Sequence, residues 1–282
     1  MKSTAPLLVI DGDSFAHRNY HALPKSIQGR GGRPAGAIVG FGGLLLRLWR
    51  AERPRAVLVA WDTLEETTYR HEALAEYQGG REFEDALVEQ LEALPAFVEA
   101  FGFHVAKKAG YEADDFLAAA ATAEEKRKGR ALVATGDRDS FQLASDRTTI
   151  LYPVKGGELL RIGPSEVRDR YGVEPAQVPD FIALRGDPSD RIPGARGIGA
   201  KTAATLLQKY GSLDAMLAKG MFESEAKDLR LYRAIATMDR KAPLPKLGNQ
   251  KPDWDRAAAM AADWGLKNLA ERIGQVAAEE QQ

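Results

Sequence analysis

Three short apolar runs each lead into an aspartate: Leu7-Leu8-Val9-Ile10 into Asp11, Ala56-Val57-Leu58-Val59-Ala60-Trp61 into Asp62, and Ala131-Leu132-Val133-Ala134-Thr135-Gly136 into Asp137. Asp139 follows Asp137 two residues on, Glu112, Asp114 and Asp115 cluster in Gly110-Tyr111-Glu112-Ala113-Asp114-Asp115-Phe116, and Asp187 and Asp190 share the turn Gly186-Asp187-Pro188-Ser189-Asp190. Each acid by itself has an ordinary use as a helix cap or turn residue. Nine gathered at one place would repel strongly unless a cation neutralised them. Hard divalent ions with oxygen ligands do this, and Mg²⁺ is held by one or two carboxylates together with waters and phosphate oxygens. Two such ions roughly 4 Å apart activate water and stabilise the leaving oxygen when a phosphodiester is hydrolysed. With 0 Cys and only 4 His (His17, His21, His71 and His104), thiolate sites, disulfides and a zinc centre are excluded or disfavoured.

A second chemistry sits in Ile192-Pro193-Gly194-Ala195-Arg196-Gly197-Ile198-Gly199-Ala200-Lys201-Thr202-Ala203. A Gly-Ile-Gly turn opening a helix brings backbone N–H groups close to a phosphate, and the helix N-terminus favours its negative charge. From Arg191 to Gly211 there are four basic residues and no acidic one. Such a hairpin grips a sugar-phosphate backbone without reading sequence. The spacing of a Walker-type nucleotide loop is absent.

The apolar runs read as strands buried on both faces. Helical stretches separate them: Ala37–Trp49, Ala86–Phe101 with Pro95 expected to kink or divide it, and Asp114–Arg127 closed by Gly129. Strand–helix–strand alternation gives a mostly parallel sheet, whose ligands lie beyond the carboxyl ends of the strands, where the aspartates emerge. After about residue 163 helices and tight turns dominate, beginning with Ser165 as a cap and a stop at Tyr171-Gly172; Ala203–Tyr210 is a short amphipathic helix closed by Gly211. The expected organisation is an α/β lobe over 1–164, a helical lobe over 165–250, and a helical tail over 251–282.

The hydrophobic share of 44% and charged share of 28% are those of a globular protein, and no apolar run approaches the roughly 18 residues of a membrane helix. A cytoplasmic protein without membrane partners is expected. The net charge of −1 conceals strong segregation: without the nine carboxylates the chain is +8, and residues 63–93 alone carry −7, so the rest sums to +15. Ser14 to Arg55 holds eight basic residues against Glu52 alone, among them Arg18, Arg30 and Arg33, the last two in the loop Gln28-Gly29-Arg30-Gly31-Gly32-Arg33. Tyr20 or His21 beside them offers a ring for a base to stack on.

In order along nearly the whole chain, these segments resemble the 5′ nucleases or flap endonucleases, nearest to the 5′–3′ exonuclease domain at the head of bacterial DNA polymerase I. The likeness rests on Val9-Ile10-Asp11-Gly12, Arg18-Asn19-Tyr20-His21-Ala22, Val59-Ala60-Trp61-Asp62, the Gly110–Asp115 and Thr135–Asp139 segments, Gly186–Gly194, Gly197–Ala203 and Tyr210–Leu213. The resemblance implies a PIN/resolvase-like α/β nuclease core, a helix–three-turn–helix DNA-binding lobe and a helical arch at about 63–93. It implies Mg²⁺ or Mn²⁺, two ions at once, with K⁺ at the hairpin. The metal residues would be Asp11, Asp62, Glu112, Asp114 and Asp115 in one cluster and Asp137, Asp139, Asp187 and Asp190 in the other, with Glu112 and Asp114 near the shared boundary. DNA contacts would come from Arg18, Tyr20, Arg30, Arg33, Tyr77, Gly194, Arg196, Gly197, Gly199, Lys201 and Thr202. The partner implied is DNA with a 5′ flap or junction, acted on by a monomer, with a separate DNA polymerase as a further partner; the chain reads as a free-standing nuclease or as a domain cut at its boundary.

Departures from the family concern the arch, which has nine acidic residues and two basic ones, Arg70 and Arg81, and reads Tyr77-Gln78 where the family commonly has Tyr-Lys. Arg81, then Arg70, become the candidates for stabilising transition-state charge. Arg191 stands where the family commonly has Asn, and Asp13, an extra acid, is expected to cap the helix after Asp11. Two rival readings are a junction-binding protein with weakened catalysis, suggested by the acidic arch, and a metal-dependent phosphatase, suggested by Asp11-Gly12-Asp13.

Overall fold

A computed structural model of the chain describes residues 5–63, 66–74, 77 and 83–280. Its centre is the expected set of three strands, β1 (Leu7–Asp11), β2 (Ala56–Ala60) and β4 (Ala131–Ala134), with Leu7 opposite Ala56 on one side and Ala131 on the other, all parallel. Every residue of the three is buried, because helices cover both faces; this is why the runs are apolar throughout rather than alternating. Among the described residues the sheet has six strands, in the order β3 (His104–Ala106), β2, β1, β4, β5 (Thr148–Pro153) and β6 (Leu159–Ile162). Its order therefore reverses at β1, and the crevice beyond β1, β2 and β4 is the natural place for a ligand.

Three strands lay outside the sequence reading. β3 (His104–Ala106) is a three-residue edge, too short to show a period. β5 (Thr148–Pro153) and the antiparallel β6 (Leu159–Ile162) mix exposed and buried positions around the Gly156-Gly157 hairpin. Among the described residues no strand follows Ile162.

On one face lie α1 (Gly12–Ala22), α2 (Gly36–Glu52) and α4 (Asp85–Ala100). The latter is a single helix through Pro95, so of the expected kink or division the division does not occur; Leu91, Leu94, Phe97 and Val98 bury one stripe across the proline. The short α3 (Tyr69–Ala73) precedes it. The last helices, α11 (Trp254–Asp263) and α12 (Lys267–Glu280), pack on this same face, so the C-terminal tail belongs to the α/β core. Trp49 of α2 donates its indole N–H to Glu280, and Arg50 pairs with Glu279.

The opposite face carries α5 (Ala113–Lys126) and the helical lobe: α6 (Pro164–Tyr171), α7 (Val178–Arg185), α8 (Ala200–Tyr210), α9 (Leu213–Leu217) and α10 (Ala226–Ala236). α6 is capped at Gly163, not Ser165, because Pro164 is preset for the first helical position and Glu166 reaches back to the Gly163 N–H at 2.8 Å. Past the end of α5 the left-handed residue is Lys128 (φ 64°) rather than Gly129; Gly129 is needed because a Cβ there would fall on the Glu124 carboxylate. That carboxylate forms a buried pair with Arg55, which removes Arg55 from the basic surface of 14–55.

Candidate metal centre and nucleic-acid interface

The ends of the strands place the carboxylates. Asp11 itself caps α1: its Oδ1 accepts the Ser14 N–H at 3.0 Å while Oδ2 accepts the Thr135 hydroxyl at 2.8 Å, fixing the group between β1 and β4. With that role filled, Asp13 does not cap the helix, contrary to expectation. Its Oδ2 accepts the backbone N–H of Asp62 at 2.7 Å, tying α1 to the end of β2. Asp62 in turn accepts the Ala113 N–H at 2.6 Å, at the start of α5. Glu112 caps α5 and its carboxylate is held by the hydroxyls of Thr68 (2.8 Å) and Tyr77 (3.0 Å). Asp139 opens a 3₁₀ turn, and Asp187 accepts from both the N–H and the hydroxyl of Ser189.

These segments enclose a cavity of about 930 Å³ lined by Asp11, Asp13, Asp62, Glu112, Asp114, Asp137, Asp139, Asp187 and Asp190. Eight of the nine expected carboxylates are therefore together. Asp115 is the exception: it is 0% exposed, away from the cavity, with its oxygens taken by Arg70, the Tyr69 hydroxyl and the N–H groups of Glu112 and Asp239. It is a scaffold residue rather than a metal ligand, because the reciprocal cap with Glu112 turns it inward. The expected division into two clusters also fails at Asp137, whose oxygen lies with those of Asp11 and Asp114, all within 4.8 Å of one another.

Burial pushes Asp11, Asp114 and Asp139 well above the usual carboxylate range, and their neighbours add to it: Asp137 for Asp11, Asp139 for Asp114, and Asp137 for Asp139. Burial and then Asp62 do the same to Asp13. Glu112 is also raised by burial, with Arg70 opposing and Asp62 adding. An all-oxygen donor set that resists its own ionisation, with three oxygens converging, fits a hard divalent cation.

A linked stability effect follows. A carboxyl whose pKa is higher in the folded than in the unfolded state stabilises fully below the unfolded value of about 3.9, and loses that contribution as pH rises toward the folded value. The melting midpoint in EDTA is therefore expected to fall between pH 5 and 8, and Mn²⁺ to raise it more at pH 8 than at pH 5. A flat midpoint in EDTA would contradict the strained-carboxylate picture.

The expected cations and aromatics fare unevenly. Arg70 is 2% exposed; its guanidinium pairs with Asp115 (2.7 Å) and Glu112 (3.2 Å), and Nε donates to the Ile235 carbonyl, so it cannot stabilise a transition state. Tyr20 is 3% exposed, donates to Glu84 and is covered by Lys25, which excludes stacking on a base. Tyr77 is buried against Glu112 and is likewise no stacking platform. Arg81 and Gln78 lie outside the described residues. Arg18 lines the cavity, whereas Arg30 and Arg33 are exposed on their loop, Arg33 beside Glu89 and the Arg30 N–H on the Trp264 carbonyl. Sequence reasoning missed Asp13 as a wall of the site, the Thr68 and Thr135 hydroxyls, and Arg138 and Arg185, which also line it; it named Tyr77 as a DNA contact, whereas the hydroxyl is on Glu112.

The hairpin before α8 is exposed at Arg196, Gly197, Gly199, Lys201 and Thr202, and Gly199 caps the helix. Gly194 and Gly186 face each other at φ 78° and 79°; a Cβ on Gly194 would lie 2.4 Å from the Gly186 nitrogen, so close backbone crossing joins the aspartate turn to the hairpin. The Arg196 N–H is taken by Glu225, an acid that the basic count from Arg191 to Gly211 did not include.

A mostly parallel α/β sheet with a carboxylate cavity at its switch point, joined to a helical lobe, defines a resolvase-like nuclease architecture. Residues 6–172 match the family described as 5′–3′ exonuclease, N-terminal resolvase-like domain, and residues 173–255 match 5′–3′ exonuclease, C-terminal SAM fold. The chain belongs to the 5′–3′ exonuclease family. DNA polymerase I of Mycobacterium tuberculosis is 42% identical over 214 residues, covering 75% of this chain and 24% of that protein. DNA polymerase I of Bacillus subtilis is 34% identical over an alignment covering 100% of this chain and 34% of its own length. The chain thus spans about a quarter to a third of the curated relatives it matches. The fold is shared with the T5 D15 protein co-crystallised with metal ions (TM-score 0.68, 17% identity, 96% of this chain and 99% of that one). It is shared also with flap endonuclease-1 from Methanococcus jannaschii (TM-score 0.63, 15% identity, 98% and 94%).

Proposed function

We propose that this chain is a divalent-metal-dependent, structure-specific 5′ nuclease that hydrolyses DNA phosphodiesters at junctions between a 5′ single strand and duplex, in replication and repair. The observation that carries this reading is the one cavity into which five separate segments deliver eight of the expected carboxylates, followed in the chain by an exposed phosphate-binding hairpin. Asp11, Asp114 and Asp137 would hold the first ion, with Asp62, Glu112, Asp139, Asp187 and Asp190 available to a second. Mg²⁺ or Mn²⁺ bound there supplies a lowered water pKa and positive charge at the phosphoryl oxygens. The chain's own groups position: Thr135 and Ser14 fix Asp11, Asp13 fixes the end of β2, and Thr68 and Tyr77 orient Glu112.

The duplex lies along the hairpin, where the N-terminus of α8 and Lys201 meet its backbone and where K⁺ is the proposed monovalent ion. The proposed functional units are residues 1–164, on which α11 and α12 of 251–282 pack, and 165–250; the arch is proposed at 63–93, of which 64–65, 75–76 and 78–82 lie outside the described residues. The protein acts as a monomer in the cytoplasm, at the nucleoid, alongside a DNA polymerase, the activity for which its relatives are named. No helix among the described residues is long and apolar enough to cross a membrane.

The phosphatase rival is weakened because Asp13, the second acid of its Asp-x-Asp pair, is committed to the Asp62 N–H. The junction-binding rival is answered by turnover. With 5′-labelled flap DNA in excess, cleavage next to the junction is expected in Mg²⁺ or Mn²⁺ and none in EDTA; binding without turnover would overturn the nuclease reading.

A further inference from the structure

The carboxylate cavity has far more acid than base, and a phosphate backbone entering it meets that excess charge. Among the described residues the Arg and Lys side chains lining it are Arg18, Arg138 and Arg185. The basic residue of α3, Arg70, is buried behind the cavity on Asp115 and Glu112, so of the cavity's carboxylates it pairs with Glu112 and does not itself face an entering phosphate.

Arg138 stands between Asp137 and Asp139 yet pairs with no described carboxylate. Its Nε instead donates to the Tyr152 hydroxyl at 3.2 Å, and the residue is exposed. Arg185, at the end of α7, has its guanidinium carbon 5.3 Å from the centre of the Phe181 ring and 5.9 Å from that of Tyr171. One of its nitrogens is 3.2 Å from Asp187, and its Nε is buried without a partner among the described residues.

The two arginines share a mounting. Tyr152 packs on Phe141 (5.4 Å between ring centres), Phe141 on Tyr171 (5.6 Å), and Tyr171 on Phe181 (5.0 Å, 22° between planes). One aromatic ladder therefore backs both guanidinium groups, and the Tyr171 hydroxyl, buried and without a hydrogen-bond partner, lies in the field of both. A free surface arginine loses rotamer entropy when it binds; one already held against rings and a phenol loses less. Its remaining N–H groups form a planar fork that matches the non-bridging oxygens of a phosphodiester. Two such forks at the rim of an acidic cavity offset the repulsion that its carboxylates impose on DNA.

We propose that Arg138 and Arg185 form a cationic clamp for adjacent phosphodiester groups of the DNA strand that enters the carboxylate cavity. This rests on the nuclease reading and names the groups that hold the substrate strand. The test is a methylphosphonate scan, in which a neutral linkage replaces each phosphate around the junction of a 5′-flap duplex in turn. Binding is measured in Ca²⁺ and single-turnover cleavage in Mg²⁺, for wild type, Arg138→Gln, Arg138→Lys and Arg185→Gln, with melting curves to confirm folding.

Arg138→Gln is expected to weaken binding about tenfold, with Arg138→Lys intermediate. At one linkage the methylphosphonate should weaken wild type about tenfold and add nothing in Arg138→Gln. Should Arg185→Gln fail to fold, the exposed Arg138 decides the matter alone. The clamp is overturned if the folded variants bind within about twofold of wild type, or if neutral linkage and substitution multiply at every position. A wild type that binds but does not cut overturns the nuclease reading alone and leaves the binding scan to decide the clamp.

Discussion

Replacing Asp137 and Asp139 together by Ala is expected to lower single-turnover cleavage of a 5′-flap substrate by at least about a thousandfold, while flap-duplex binding survives. Asp137 contributes one of the three converging oxygens, with Asp11 and Asp114, and Asp139 lies close enough to raise the pKa of Asp114. The pair therefore touches both halves of the cavity. Asp139 accepts the neighbouring Ser140 N–H at 2.8 Å, a local contact, whereas Asp11 joins α1 to Thr135 and Asp115 holds Arg70. Removing two mutually repelling carboxylates, the exposed Asp137 and the half-buried Asp139, relieves strain, so the variant should melt at or above the wild-type temperature in EDTA and gain less from Mn²⁺. Stability up, metal response down and cleavage lost is a combination that misfolding cannot produce. Undiminished cleavage would remove these aspartates from the site.

How far the sequence foretold this site depends on what each residue's neighbours are. Asp11, Asp62 and Asp137 were legible because strands buried on both faces are written as uninterrupted apolar runs, and the residue that ends such a run must face the crevice. Asp115 was not, since its spacing of three from Glu112 fits a shared face and a reciprocal cap equally well. Only the placement of α3 across the start of α5, delivering Arg70, decides which acid is swallowed. Asp13 failed for a related reason: either acid of Asp11-Gly12-Asp13 could cap α1, and the choice is settled by the distant N–H of Asp62. The edge strands β3, β5 and β6 are short or half-exposed, so their periods never emerge, and the aromatic ladder from Tyr152 to Phe181 joins four segments that no local pattern connects.

Arg70→Met is expected to destabilise the protein by about 3–5 kcal/mol, read as a fall in the melting midpoint of roughly 10 °C. The guanidinium is enclosed at 2% exposure and joins three elements: α3, from which it projects, α5 through Asp115 and Glu112, and the end of α10 through the Ile235 carbonyl. Deleting it leaves Asp115 charged at 0% exposure, and a buried ion stripped of its partner costs far more than the intact pair contributes. Arg70→Lys restores the charge without the fork that spans both carboxylates, and should recover only part of the loss. Arg70→Met combined with Asp115→Leu removes the stranded Asp115 charge and should recover part of the loss, since Glu112 still loses its guanidinium and the N–H groups of Glu112 and Asp239 lose their acceptor. The double variant also separates scaffold from chemistry. If Arg70 and Asp115 act only by holding α3, α5 and α10 together, the refolded double variant cleaves flap DNA at a rate near that of wild type. A folded double variant that has lost cleavage would return Arg70 or Asp115 to the reacting centre, against the burial and pairing that now set them behind it.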